Sequence, residues 1–400
     1  MDVVVIGAGQ AGLAVSRELT ERSVRHTVLE AARVGQAWRE RWESFTLVTP
    51  NWTLDLPGSP YDGGDPEGHV PRDEIVAYLQ SYAARFGAPI REGVRVDSLR
   101  PAVEDGFRLM TSSGEMHADV VVVCTGAYQR AHRPAGAGDF PAWLTVLETG
   151  AYREPDRLPP GKVLIVGSGQ TGCQLAEELH LAGRDVFLSC GRAPWAPRRL
   201  DGLDIVTWIA KTTFMDQTLA ELPNPAARLT ANVQATGARG GHDLHYRVLQ
   251  ALGVTLLGRL SHVSDGRAYF VDDLAASVAF GDARWADLRE LLRSQLPHQG
   301  IAVPDLPEPL PFRYHPIEAL DMREVGSVII TSGFRPDYSW IEPNVVDDAG
   351  FPLTVDGAST VVRGLYFCGV HFMRTRRSSL MFGVGADAAI VAESVAATTR

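Results

Sequence analysis

Cysteine is scarce in this chain: four in 400 residues, Cys124, Cys173, Cys190 and Cys368, with no CxxC pair among them. Three of them lie in or at the end of apolar, strand-like runs, where a cysteine behaves as a small buried hydrophobe. A redox-active dithiol of the CxxC type is thereby excluded. Basic charge is also short. Lys and Arg number 38 against 48 Asp and Glu, a net charge of −10. With no broad basic surface, nucleic acid is not an expected partner. No uninterrupted apolar run reaches the ~18 residues of a membrane-spanning helix, so no membrane partner is expected. The opening MDVVVIGAGQ enters the first strand at once and leaves no room for a leader, which predicts a cytoplasmic protein. His, Cys and carboxylates form no metal-spaced cluster; His242 and His245 in GGHDLHYR stand alone, and no metal is expected. What remains is the composition of a globular protein long enough for two or three domains.

Within that frame stand two glycine fingerprints. DVVVIGAGQAG carries Gly7, Gly9 and Gly12, and KVLIVGSGQTG carries Gly167, Gly169 and Gly172. Each follows a β-branched run and opens a helical stretch, the strand–turn–helix context of a dinucleotide site. Such glycines let the backbone approach a pyrophosphate at the helix N-terminus. A further strand follows each helix: HTVLE ends at Glu30 and DVFLSC ends at Cys190, each 23 residues after its first glycine. An acid at that position binds ribose hydroxyls and repels a 2′-phosphate. A neutral Cys190 followed by Arg192 accepts one. The first site therefore reads as FAD and the second as NADPH.

Around the fingerprints the chain alternates strands and helices. VGQAWRERWESFTLVTPNWTLDLPG is a long irregular segment, of the kind that is often functional. PRDEIVAYLQSYAARFG is an amphipathic helix with an acidic first turn. VRVDSLRP, GFRLMTSSG and MHADVVVVCTG form an alternating meander. Helices are expected in an insert near 200–240 and in RVLQALG, a hairpin in HVSDGRAYFVDD, and a helix in ARWADLRELLRSQL. DLPEPLPFRYHP (305–316) reads as a proline-rich return linker. The chain closes with GLYFCGVHF and the helix GVGADAAIVAESVAA. The expected fold is α/β, with two Rossmann-like dinucleotide-binding domains, one inserted in the other. The outer, FAD-binding domain spans 1–155 and 317–400; the inserted, NADPH-binding domain spans 156–316.

Several positions have two readings. Gly126 and Gly333 close VVVVCTG and SVIITSG, either as ordinary turns or as turns that pass a cofactor and mark the crossing between domains. The helix at GVGADAA either packs on the sheet or aims its N-terminus at a flavin. Trp38, Arg39, Thr49, Asn51 and Trp52 are either core and surface filler or the flavin's surroundings.

These stretches resemble the flavin-containing monooxygenase group, and more narrowly the bacterial single-chain NAD(P)/FAD-dependent oxidoreductases linked to potassium transport. The likeness runs through GAGQAGLAV with Glu30, GQAWRERWESFTLVTPN, GSGQTGCQLAEEL, LSCGR, TSGFRPDYSW and GLYFCGVHF…GVGADAA, essentially the whole chain. It implies FAD bound by Gly7, Gly9, Gln10, Ala11, Gly12, Glu30, Gln36, Trp38, Arg39, Val96, Thr125, Gly126 and Gly369. It implies NADPH bound by Gly167, Gly169, Gln170, Thr171, Gly172, Ser189 and Arg192, with Asn51 near the flavin's oxygen-reacting edge. The implied activity is NADPH-driven oxygenation of a small organic substrate by O2 through a C4a-hydroperoxyflavin. A flavin reductase without oxygen transfer and a redox-sensing flavoprotein are the alternatives, and a homodimer is left open. Two stretches depart from the family pattern: FPAWLTVLETGAY, with Ala142 and Glu148 where Gly and His belong, and GVHFMRTRRSSLM.

Overall fold

The computed structural model describes residues 2–398. Two largely parallel sheets organise the chain, each built round one fingerprint. The larger runs Thr354–Val355, Ala358–Ser359, Leu365–Phe367, Val120–Val123, Val3–Ile6, His26–Glu30, Ile90–Glu92. Its strands from Leu365–Phe367 onward are parallel. In the second, Thr255–Leu257, Val186–Ser189, Lys162–Val166, Val325–Ile330 and Thr145–Glu148 lie side by side, all parallel. Parallel strands are covered on both faces, which is why VVVI and KVLIV are unbroken apolar runs rather than alternating ones. Val3, Val4, Val5, Val163, Leu164 and Ile165 are all buried.

The two sheets repeat one arrangement. Val3–Ile6 lies between His26–Glu30 and Val120–Val123, with Ile6 opposite both Leu29 and Val123. Lys162–Val166 lies between Val186–Ser189 and Val325–Ile330, with Val166 opposite Ser189 and Ile330. Glu30 and Cys190 thus each stand one residue past the same point of the register. The expected α/β class, with two dinucleotide-type units, is the observed one.

Strand pairing moves the expected boundaries. Thr145–Glu148 and Val325–Ile330, placed by the sequence reading in the outer domain, pair in the second sheet. The proline-rich stretch 305–316 has no regular structure but leads to Ala319–Asp321, which pairs with Arg267–Phe270 in the same unit. Proline marks chain that cannot donate to a ladder, and such chain need not be a crossing between units. The candidate crossings lie beside Gly126 and Gly333, whose φ angles are 71° and 88°. Just beyond them, Arg130–Ala131 pairs antiparallel with Phe334–Arg335. We read this two-stranded ribbon as the neck of an inserted domain.

The insert near 200–240 is far less helical than expected. One short helix, Ile205–Ile209, is followed by tight turns at Thr213–Asp216, Leu219–Glu221 and Pro225–Leu229. Pro223, Asn224 and Pro225 interrupt any longer helix. The meander closes on Gly114–Ala118, and the apolar Val120–Val123 after it joins the larger sheet instead. The helices Arg72–Arg85 and Tyr246–Leu252 form as read, and Leu274–Gln295 starts nine residues before the stretch expected. The C-terminal helix Met381–Thr398 is long and apolar enough, by length and composition, to cross a membrane. Its hydropathy comes from a run of alanine and valine that packs against the helix Gln10–Glu21. Val384, Ala388, Val391, Ala392 and Val395 are buried there.

Candidate active site

A single cavity of about 2030 Å³ runs along the C-terminal ends of both sheets, where open parallel sheets place their ligands. It exceeds the roughly 300–1,000 Å³ of an ordinary small-molecule site, and both fingerprints open onto it.

The first fingerprint is shaped by contact. A Cβ on Gly7 would meet the Cys124 carbonyl oxygen at 2.8 Å, and one on Gly12 the Gly7 carbonyl oxygen at 1.8 Å. Nothing lies within 4 Å of the same position on Gly9, which faces the cavity. Gly7 and Gly12 are therefore small for packing and Gly9 for the approach of a ligand; Gly12 itself stands behind the wall. The helix Gln10–Glu21 begins here and offers its N-terminal amides. Glu30 lines the cavity, with Oε2 accepting from the Ala8 N–H at 2.8 Å and Oε1 from the Ala32 N–H at 2.9 Å. Gln10, Ala11, Gln36, Trp38, Val96, Thr125, Gly126 and Gly369 complete this side. Trp38 Nε1 donates to Gln10 Oε1 at 3.3 Å. Gln36 Oε1 is buried without a partner, an acceptor open to a ligand donor. An open glycine at a helix N-terminus, a fixed strand-end carboxylate and an orphaned acceptor together fit FAD.

Two expected side chains are not brought to the cavity. Arg39 is off its wall, with Nε donating to the Val34 carbonyl at 3.3 Å. Arg41 lines it instead, and burial lowers its pKa. The short helix ends at Arg39, and a turn closed by the Arg41 N–H on the Trp38 carbonyl at 3.1 Å follows it. Both arginines stand in WRERW, where residue type alone does not separate them. Asn51 is 3% exposed and committed to the backbone. Its Oδ1 accepts from the Val70 N–H at 2.7 Å and its Nδ2 donates to the Asp65 carbonyl at 2.9 Å. Thr49 and Thr53 on either side reach the cavity where Asn51 does not.

The second fingerprint repeats the first. A Cβ on Gly172 would meet the Gly167 carbonyl oxygen at 2.0 Å, and Gly167 is hemmed in by the backbone of Thr331 and Ser332. Gly167, Gly169, Gln170 and Thr171 line the cavity, and Gly172 stands behind. Ser189 Oγ donates to the Gly258 carbonyl at 3.0 Å and accepts from the Leu260 N–H at 2.9 Å, tying the strand end to the next loop. Cys190 is fully buried. Arg192, exposed at the cavity rim, has no carboxylate partner among the described residues. A cradle with a free cation and no acid fits a 2′-phosphorylated nicotinamide nucleotide.

The remaining wall comes from the irregular insert and the C-terminal loop, including Ile209, Phe214, Met215, Arg228, His371, Phe372, Arg376 and Phe382. A buried clasp holds the insert to the irregular segment after the first fingerprint. Arg198 Nη2 pairs with Asp204 Oδ2 at 2.6 Å and donates to the Val48 carbonyl at 2.6 Å, and His69 Nε2 lies 3.6 Å from the same carboxylate. The cysteines supply no redox pair. All four are buried and unpaired, and burial pushes their thiols up.

A family model described as pyridine nucleotide-disulphide oxidoreductase matches residues 4–235. The chain belongs to that family. Over its whole length it is similar to a CzcO-like oxidoreductase of Geobacillus kaustophilus, 31% identical across 97% of this chain and 96% of the relative. Flavin-containing monooxygenase 1 of Mus musculus is 28% identical across 56% of this chain and 46% of its own. Among solved structures, a flavin-containing monooxygenase from Stenotrophomonas maltophilia shares the fold with a TM-score of 0.70 at 20% identity, covering 100% of this chain and 99% of that one. The protein is an oxidoreductase, and FAD and NADPH are the cofactors its membership implies.

Proposed function

We propose that this oxidoreductase is an NADPH-consuming flavin monooxygenase that transfers one oxygen atom from O2 to a small organic molecule. The observation that carries the reading is the one continuous cavity: it joins two dinucleotide cradles to a third wall that includes Phe214, Met215 and Phe382, with no cysteine pair to take electrons. Bound FAD supplies a hydride acceptor and the centre at which dioxygen is activated. The chain's own residues bind, orient and exclude water. The amides at Gly9 and Gln10 receive the FAD pyrophosphate, Glu30 the ribose hydroxyls, and Arg41 adds a cation beside Trp38. Gly169, Gln170 and Thr171 receive the nicotinamide nucleotide, and Arg192 reads its 2′-phosphate. Phe214, Met215 and Phe382 keep the third wall dry, which favours oxygen transfer over loss as peroxide.

The test is turnover of the FAD-loaded enzyme with NADPH under isotopically labelled dioxygen, against a panel of amines, sulfides, indoles and ketones. One labelled oxygen atom should enter product for each NADPH consumed. Complete recovery of the electrons as peroxide, or fast quinone reduction indifferent to O2, would sink the reading and leave a flavin reductase.

A further inference from the structure

Three arginines in a row of four residues sit in the C-terminal stretch that departs from the family pattern, and one of them is treated differently. Arg374 pairs with Asp356 and Asp387, and Arg377 with Asp216 at 2.6 Å. Arg376 has no carboxylate partner among the described residues, although it lines the cavity and is half-buried. Its guanidinium lies between two aromatic rings, 4.3 Å from the Phe214 centroid and 4.8 Å from that of Phe372. Nη2 donates to Gln217 Oε1 at 2.5 Å, and Nε is buried without a partner. Burial pulls its pKa down to about 10, so it keeps its charge at neutral pH.

An unpaired, desolvated cation destabilises a fold unless something answers it. The surroundings hold it in place all the same. Phe372, which covers one face, takes a left-handed φ of 58°, a conformation an aromatic residue rarely adopts. Capping through Thr375 and Ser378 fixes the turn that carries the arginine. Nearby, Arg228 engages the carboxylate of Asp347, so that anion does not answer Arg376. The adjoining wall is apolar: Met215, Ile209, Leu380 and Phe382.

We propose that Arg376 anchors the carboxylate of the substrate, an organic acid whose apolar or aromatic body lies along the Phe214–Phe382 wall. The inference rests on the substrate site being the third wall of the cavity, as in the monooxygenase reading. A guanidinium held against aromatic rings keeps its N–H fork for a planar carboxylate, which it meets with paired hydrogen bonds. Arg192 already stands free at the phosphate-binding cradle, which leaves Arg376 for a different ligand.

The test is calorimetric titration of FAD-loaded enzyme, without NADPH, by phenylacetate and 3-phenylpropionate and by their neutral amides. In the native enzyme the acids should bind about ten- to hundredfold tighter than the amides. Arg376→Gln should abolish that preference, and Arg376→Lys should restore part of it. The native comparison needs no variant, so a folding defect cannot mask the result. Equal binding of acid and amide, including no binding by either, overturns the proposal. So does an Arg376→Gln enzyme that keeps the acid preference while its KM for NADPH rises, because the arginine would then serve the nucleotide. Binding is read without turnover, so a retained acid preference beside failed oxygen incorporation would fault the oxygenase reading alone.

Discussion

At the scale of single residues, the two cradles differ chiefly in one charge. Glu30 closes the first site, and Cys190 with Arg192 closes the second at the same register point. A guanidinium facing a 2′-phosphate makes charge-assisted hydrogen bonds that NADH cannot offer it. Arg192→Ala should therefore raise KM for NADPH by about ten- to hundredfold and leave KM for NADH within about twofold. Steady-state kinetics with both nucleotides decide it; an equal rise in both would mean that Arg192 does not read the phosphate. The fingerprint glycines and Glu30 were legible in the sequence because their constraint is local: the turn cannot form with a Cβ 1.8 Å from a carbonyl oxygen. Arg39 and Asn51 were misread because the sequence gives a residue type but not the direction its side chain takes. Arg39 donates to the Val34 carbonyl, and the backbone at 65 and 70 consumes the Asn51 amide.

At the scale of elements, the irregular insert is held by chemistry rather than by regular structure. The Arg198–Asp204 pair is essentially sealed from solvent, at 2% and 0% side-chain exposure. Burial raises the Asp204 pKa and lowers that of Arg198, so each charge depends on the other. Removing one partner of such a pair costs about 3–5 kcal/mol, because the other is left buried and unmatched. Asp204→Asn should lose about that much in urea unfolding, and Arg198→Met with Asp204→Leu should recover most of it. A loss below about 1 kcal/mol would mean that water reaches the arginine. No periodicity announces this clasp, since it joins residues more than a hundred positions apart. The same limit explains the misplaced boundaries. A strand such as Val325–Ile330 declares itself by composition, but its sheet partner is a tertiary fact. Strands, the long helices and the doubled cradle were readable; the packing of the insert was not.

At the scale of the whole molecule, acid sensitivity is built into three distant places. His69 sits in the clasp, His245 packs 4.5 Å from the Trp195 ring in the second unit, and His371 lines the cavity. Burial is the first cause in each, and each pKa falls to about 4. Unfolded, the same groups titrate near about 6.5. Between those values the unfolded chain binds protons that the folded one refuses, so stability is complete above about pH 6.5 and falls as the pH drops toward about 4. Asp204, Asp387 and Glu178 act with the opposite sign, because burial raises their pKa values and the folded state takes up their protons first. His26 and His132 are lowered by burial as well, so the net proton uptake on unfolding should be positive near about pH 5.5, where the histidine difference is largest. Urea midpoints measured across about pH 5 to 7.5 give this slope directly. His245→Asn should lower the slope by close to one proton. A flat profile in the parent protein would contradict buried neutral histidines. A slope unchanged by His245→Asn would place the titration in the other lowered histidines, which His69→Asn at the clasp and His371→Asn at the cavity wall would then separate from His26 and His132.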